Sequence, residues 1–406
     1  MNDDLQLFDE VEQRSARNRR GAKAQRARAR RRRRKRVITG VVVLAVLVLL
    51  AGGVWYGWRE LRGIGDIADY AGTTGESDVV VEVADGATTA QIGTELARAD
   101  VVASGAAFVR AAATNDAVRS VQPGFYRMRT KLSGAAAATL LTTAESRVGQ
   151  LEIRGGTQLD DVALPNGDVV PGVISLVAKA TCADLNGQST CLTADVLREA
   201  MSAGDAAALG IPEWARAAVA NAEPRRRLEG LIMPGVYNVK PGGTAPEVLQ
   251  ALLSSSMIRM QAAGMPGATE PTGFTPYEVL VIASLVEKEA INADFGKVAR
   301  VVYNRLARPM PLQFDSTINY PLDRQEVRTT AEARATPGPY NTYLNNGLTP
   351  TPIAAVSAEA IQAAVNPEPG DWVYFVKCST DGTSCFAATQ EEHDANVARA
   401  RAAGVF

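Results

Sequence analysis

From Val37 to Trp58 the chain carries no charged residue, and the middle of this stretch, Val41 to Leu50, is continuously apolar. Wound as a helix, these 22 residues rise about 33 Å, enough to cross a hydrocarbon core of about 30 Å. Trp55, Tyr56 and Trp58 stand at the far end, where amphipathic rings favour the membrane interface. Residues 1–36 hold fourteen of the 43 Lys and Arg, ending in the unbroken basic run Arg30 to Arg36. The positive-inside rule therefore predicts a cytoplasmic tail at 1–36, a single transmembrane helix at 37–58, and everything from Arg59 on the far side. A cleaved signal would have a shorter apolar core and a small-residue cleavage site. A nucleic-acid arm would not run into an uncharged span, so nucleic acid is not an expected partner. The arginines are expected to meet anionic lipid, at about 1 kcal/mol per charge.

Beyond the span, 29 basic residues face 39 acidic ones. All four cysteines lie here, as the local pairs Cys182/Cys191 and Cys378/Cys385. In an exported, oxidising compartment that arrangement predicts two short disulfide loops, contributing about 2–3 kcal/mol each in the chain-entropy model. Their C-x8-C and C-x6-C spacings depart from the closer pairs of a zinc site, and no metal is expected.

The patterning predicts an α+β fold. Residues 59–77, rich in Gly, Thr and Asp, read as a linker. Val79 to Val83 reads as a strand, Asp85-Gly86 as a turn, and Thr88 to Gln91 as a capping box opening a helix through Leu96. A second helix is expected near Ala106–Ala113 and another strand at Gly124–Met128. The same order recurs as strand Leu151–Arg154, turn Gly155 to Thr157 and helix Leu159–Val162, which suggests a small module used twice. Gly264 to Gly273 marks a boundary. After it, Thr275-Pro276-Tyr277-Glu278 combines a Thr N-cap, Pro at the first helical position and Glu at the third. The helix so opened runs to Ala290, a second spans Phe295–Leu306, and a hairpin around Asp381-Gly382 brings Cys378 near Cys385.

The chemistry is narrowed by what is missing. With one histidine, His393, a Ser-His-Asp triad or histidine-rich metal site is hard to build, and no glycine loop cradles phosphate. No cofactor is expected. Carboxylates and polar side chains remain, the equipment of a glycan-cleaving enzyme. Glu287 and Glu289 end the apolar helix but lie about 200° apart around it, so they cannot face one cleft. Glu289 follows Ile282, Leu285 and Val286 on its face; Glu287 follows Leu280, Ala283 and Ser284. Glu289 is thus the acid that desolvation should keep protonated.

Four segments in order resemble the endolytic murein transglycosylase (YceG-like) family: Leu228 to Pro234, Ile282 to Glu289, Val301 to Leu306 and Met310 to Thr317. Pro339-Tyr340-Asn341-Thr342-Tyr343 with Gly347-Leu348, Tyr374 to Val376, and Glu392-His393 fit as well. Where the family reads Pro-Asp-Thr-Tyr and Asp-Pro-Thr, this chain has Pro234-Gly235-Val236-Tyr237 and Asp315-Ser316-Thr317. The cysteine pairs are additions to the family pattern. The resemblance implies a LysM-like module at 78–150 and a catalytic domain at 151–406, acting on peptidoglycan glycan strands beside cell-wall synthases. It implies Glu289 as the catalytic residue, with Glu287, Gln313, Asp315, Tyr340, Asn341 and Tyr343 holding the sugars or fixing the loops that do. The reaction implied is cleavage between N-acetylmuramic acid and N-acetylglucosamine, leaving a 1,6-anhydro end. A non-catalytic wall-binding or division scaffold would keep the fold but have no need of a desolvated acid.

Overall fold

The computed structural model describes residues 67–322 and 329–405. The basic tail and the expected span at 37–58 lie outside the described residues, among which no helix is long and apolar enough to cross a membrane.

Two hydrophobic cores organise the described residues 69–322 and 329–405. The first is built by β1 (Asp78–Val83), α1 (Thr89–Arg98), α2 (Gly105–Ala112), β2 (Gly124–Arg129), α3 (Gly134–Leu141) and β3 (Arg147–Val148). The strands form an antiparallel sheet in the order β1-β2-β3, with Val81 opposite Tyr126. Val81, Val83, Tyr126 and Met128 bury one face against Leu96, Phe108 and Leu141 from the helices. The capping box opening α1 is present: Thr88 Oγ1 accepts from the Gln91 N–H, and the Gln91 side chain accepts from the Thr88 N–H.

The second core begins at β4 (Gln150–Ile153), which pairs not with its neighbours but with a strand more than eighty residues on. Between them lie the short pair β5 (Val162–Ala163) and β6 (Val169–Val170), then α4 (Val173–Ala180). The hairpin β7 (Asp184–Leu185) and β8 (Gln188–Ser189) follows, then α5 (Ala194–Ala203), α6 (Glu213–Asn221) and the partner strand β9 (Gly235–Asn238). Seven helices and a hairpin complete it: α7 (Ala245–Ala262), α8 (Pro276–Glu289), α9 (Phe295–Ala307), α10 (Asp315–Asn319), α11 (Ala331–Ala335), α12 (Ala358–Val365), β10 (Tyr374–Lys377) with β11 (Ser384–Ala387), and α13 (Gln390–Ala402). Gly264 to Gly273 joins α7 to α8 inside this one core, since Met260, Met265 and Tyr277 pack in the same cluster.

The expected helix at Leu159–Val162 does not form. Its backbone is committed elsewhere: the Leu159 N–H donates to Glu229 at 3.2 Å, and the Leu159 carbonyl accepts from the Ile174 N–H at 3.1 Å. The β4 segment therefore belongs to the second core and does not repeat the first module. At Gly235 φ is 144° and a Cβ would lie 1.8 Å from Arg259 Nη1. Arg259 uses that space to donate to the Pro234 and Val236 carbonyls at 2.9 Å each.

Disulfides join Cys182 to Cys191 and Cys378 to Cys385. The first closes the β7–β8 hairpin, whose tip docks on the first module. Asn186, left-handed at φ 58°, accepts from the Asp78 N–H at 2.7 Å and donates its amide to the Asp78 carbonyl at 3.1 Å. Its own N–H donates to Asp78 Oδ2 at 3.0 Å. Asn186→Ala should cost about 1 kcal/mol and speed amide exchange at Asp78–Val83, measured by thermal melting and hydrogen exchange. Unchanged exchange at β1 would mean the hairpin does not brace the module.

Candidate active site

Helix α8 sets the site. Thr275 and Glu278 form its capping box, and every residue from Val279 to Val286 is buried. A helix buried all round has no solvated face, so apart from the capping Glu278 its charged residues gather in the last turn, Glu287-Lys288-Glu289.

The two glutamates leave in different directions. Glu287 turns to the start of α12: its Oε2 accepts from the Ser357 N–H at 3.0 Å and from the Ser357 hydroxyl. Ser357 is the N-cap of α12, so the carboxylate lies at the positive end of that helix. Gly155 packs against the same group, where a Cβ would lie 2.1 Å from Oε1. Lys288, between them, donates to the Gly156 carbonyl at 3.3 Å.

Glu289 turns to α10. The Ser316 hydroxyl donates to its Oε1. One edge of Glu289 stays partly accessible, yet the protein packed around the carboxyl raises its pKa above the usual carboxylate range. Desolvation is the main cause, the Asp315 charge adds to it, and the Ser316 hydrogen bonds and Lys377 oppose it. Asp315 behaves the opposite way. Burial alone would raise it, but Arg334, Thr329 and Tyr343 outweigh that and hold it below its ordinary value. Arg334 binds both Asp315 oxygens, at 3.2 and 2.9 Å, and Tyr343 donates to Oδ1 at 2.6 Å.

Asp315 and Tyr343 are therefore drawn together beside Glu289, and Glu287 is not. Gln313 is exposed at the loop's turn, left-handed at φ 53°, its N–H donating to the Thr342 carbonyl at 3.0 Å. Tyr340 and Asn341 are buried. The Tyr340 hydroxyl pairs with Thr351 at 2.8 Å, and the Asn341 amide donates to the Arg334 and Thr336 carbonyls at 2.9 and 2.7 Å. Thr342 Oγ1 accepts from the Phe314 N–H at 3.0 Å and pairs with Thr317 at 2.8 Å. The Pro-Tyr-Asn-Thr-Tyr segment is thus a bracket holding the 313–317 loop under Glu289.

The Tyr-Asn-Arg run in α9 is a second bracket. The Tyr303 hydroxyl donates to the Ala364 carbonyl at 2.7 Å, and Asn304 to that of Trp372 at 2.8 Å. Arg305, 6% exposed, reaches the Leu312 and Val373 carbonyls at 2.6 Å each. His393 stacks on Tyr374, with ring centroids 5.2 Å apart. Ser316 and Arg334 were not singled out by sequence reasoning. Nor was Glu229, a fully buried acid whose pKa burial pushes up to about 7. A cavity of about 600 Å³ bounded by Arg226, Thr317, Pro337 and Tyr340 does not include Glu289. Among the described residues that line it, the acids Glu223 and Glu332 are exposed, so neither is a desolvated carboxyl.

Known proteins share this organisation. The sequence profile of the YceG-like family matches residues 81–399. The endolytic murein transglycosylase of Streptococcus pneumoniae is 28% identical over 368 residues, covering 87% of this chain and 64% of that protein. That of Bacillus subtilis is 32% identical over 178 residues, 43% of this chain and 49% of that one. The chain thus spans less than two thirds of the length of these relatives. A crystal structure of a YceG-like protein from Listeria monocytogenes has the same fold, with a TM-score of 0.52 at 24% identity over 78% of this chain and 98% of that one.

A raised carboxyl binds a proton in the folded state that the unfolded chain releases near its ordinary value. Stability contributed by Glu229 is therefore complete below pH 4.5 and lost as pH rises through about 7. Compared with Glu229→Gln, the wild type should lose on the order of 3 kcal/mol across that window, read from denaturant melts at several pH values. Parallel curves for the two proteins would show that Glu229 does not titrate there.

Proposed function

The chain belongs to the YceG-like family, and from that membership we propose that it is an endolytic lytic transglycosylase of peptidoglycan, with Glu289 as its general acid and base. The observation that carries this reading is the opposed tuning of neighbouring carboxyls: Glu289 is raised and Asp315 lowered, with Ser316 between them in contact with Glu289. Environments that push two acids apart separate the proton donor from the charged partner.

The reaction follows from those states. Protonated Glu289 gives its proton to the glycosidic oxygen as the bond from the muramic acid C1 breaks. Positive charge develops on the sugar ring, and the ionised Asp315 offsets it. The Glu289 carboxylate then takes the proton from the sugar's own C6 hydroxyl as that oxygen bonds to C1. The products are a 1,6-anhydro end and a free hydroxyl on the departing strand, with no water consumed. Ser316 holds Oε1, leaving Oε2 to carry the proton. Glu287, Gln313, Tyr340 and Asn341 serve this site as supports of the α8 end and its loops, and Tyr343 fixes Asp315.

We also read residues 37–58 as a single-pass anchor that places this domain at the outer face of the cytoplasmic membrane, with the basic tail inside on anionic lipid. The uncharged span behind a basic run supports this. The compact β1–β3 module, resembling LysM-like glycan binders, holds the nascent strand, and the enzyme ends strand elongation beside the synthases.

Purified glycan strands digested by the protein should end in anhydro-muramic acid, about 18 Da lighter than hydrolytic ends for the one water retained. Glu289→Gln should fold normally and lose roughly 10²–10⁴-fold in rate. Glu287→Gln should keep clear activity, with a stability loss of about 1 kcal/mol from weaker capping of α12. Circular dichroism must first show both variants folded. Reducing ends, or a folded Glu289→Gln protein cutting at the wild-type rate, would overturn the assignment.

A further inference from the structure

Glu229 is a buried acid that the proposed reaction leaves unused. It is 2% exposed. Both of its carboxyl oxygens accept from the Leu159 N–H at 3.2 Å, and Oε2 also accepts from the Tyr320 hydroxyl at 2.9 Å. Each partner heads a short path to the end of α8. Leu159 closes the turn in which Gly155 packs on the Glu287 carboxyl and the Gly156 carbonyl accepts from Lys288. Tyr320 ends α10, its N–H donating to the Ser316 carbonyl at 3.0 Å, and Ser316 holds Glu289. The turn grips Glu287 and Lys288, α10 grips Glu289, and one carboxyl group ties the turn to α10.

We propose that Glu229 is a positioning residue, whose carboxyl locks the 155–159 turn to α10 and so sets the direction of the Glu289 side chain. The role rests on the reading of Glu289 as the proton donor. It also makes the site sensitive to pH. Burial pushes Glu229 up to about 7, against the Leu159 and Tyr320 hydrogen bonds. The charged and titratable groups facing it are Asp160, Arg226, Tyr320 and, from α8, Tyr277 and Lys288. Asp160 is lowered and the two tyrosines are raised, which moves all three away from neutral pH. Lys288 is lowered by burial, against the pull of the Glu229 charge. As pH rises through about 7, Glu229 ionises where burial disfavours its charge, so opening the contact becomes easier and the lock loosens.

Full-length wild type, Glu229→Gln and Tyr320→Phe in detergent would be assayed on purified glycan strands from acid to alkaline pH, with hydrogen exchange followed at residues 315–320. Both variants should lose roughly 10- to 100-fold in kcat with KM unchanged, and exchange faster at 315–320 while the rest of the protein exchanges as before. Wild-type exchange at 315–320 should quicken between acid and alkaline pH beyond the intrinsic dependence, and Glu229→Gln should not show this. A loss of folding in Glu229→Gln leaves Tyr320→Phe, which removes one hydroxyl, to decide. Wild-type kcat and unchanged exchange in the folded variants would overturn the role. If the wild type cuts no strands, the reading of the reaction fails instead. The exchange data then decide alone: a pH step lost in Glu229→Gln upholds the lock, and its absence in wild type refutes it.

Discussion

The burial of α8 on every side is the constraint from which the rest follows. A helix that is apolar from Val279 to Val286 can sit only inside a core, and its last turn must then carry charge into a place that water barely reaches. Three charged residues meet that condition in three ways. Glu287 becomes part of the α12 cap, Lys288 finds a backbone carbonyl, and Glu289 is left with Ser316 for a partner. Only the last is a poor host for a charge. The desolvated acid is thus the one of the two glutamates that does not sit at the N-cap of α12.

Most of the segments that carry the family resemblance are fasteners around this helix end. Arg305, Asn304 and Tyr303 spend their donors on backbone carbonyls, and in the facing loop Asn341 does the same, Thr342 Oγ1 accepts from the Phe314 N–H and Tyr340 pairs with Thr351. A loop under a reacting centre must hold its side chains within fractions of an ångström. Buried side chains bonded to loop carbonyls are a direct way to do it. The first-module contacts through Asn186 serve a different end, since they fix one core against the other at exposed positions.

What was legible in the sequence was what neighbours in the chain decide. The capping boxes at Thr88 and Thr275, the strand at Val79–Val83, and the apolar row leading to Glu289 are all local, and each stands where its pattern predicts. What was not legible depends on residues far apart. The pairing of Leu151 with Tyr237, the capping of α12 by Glu287 and the hold of Ser316 on Glu289 carry no local signal. The helix expected at Leu159–Val162 failed for the same reason: Glu229, seventy residues on, took the Leu159 N–H. Glu229 stands in the Leu228–Pro234 segment with no local pattern to mark it as buried.

The account stands on Glu289 holding a proton where Asp315 does not. Carboxyl titration by infrared difference spectroscopy, wild type against Glu289→Gln and against Asp315→Asn, tests this most directly. The band lost in Glu289→Gln should titrate above the ordinary 4.5, and the band lost in Asp315→Asn below 3.8. A Glu289 band that ionises at or below its ordinary value, or an Asp315 that takes up its proton first as pH falls, would contradict the account.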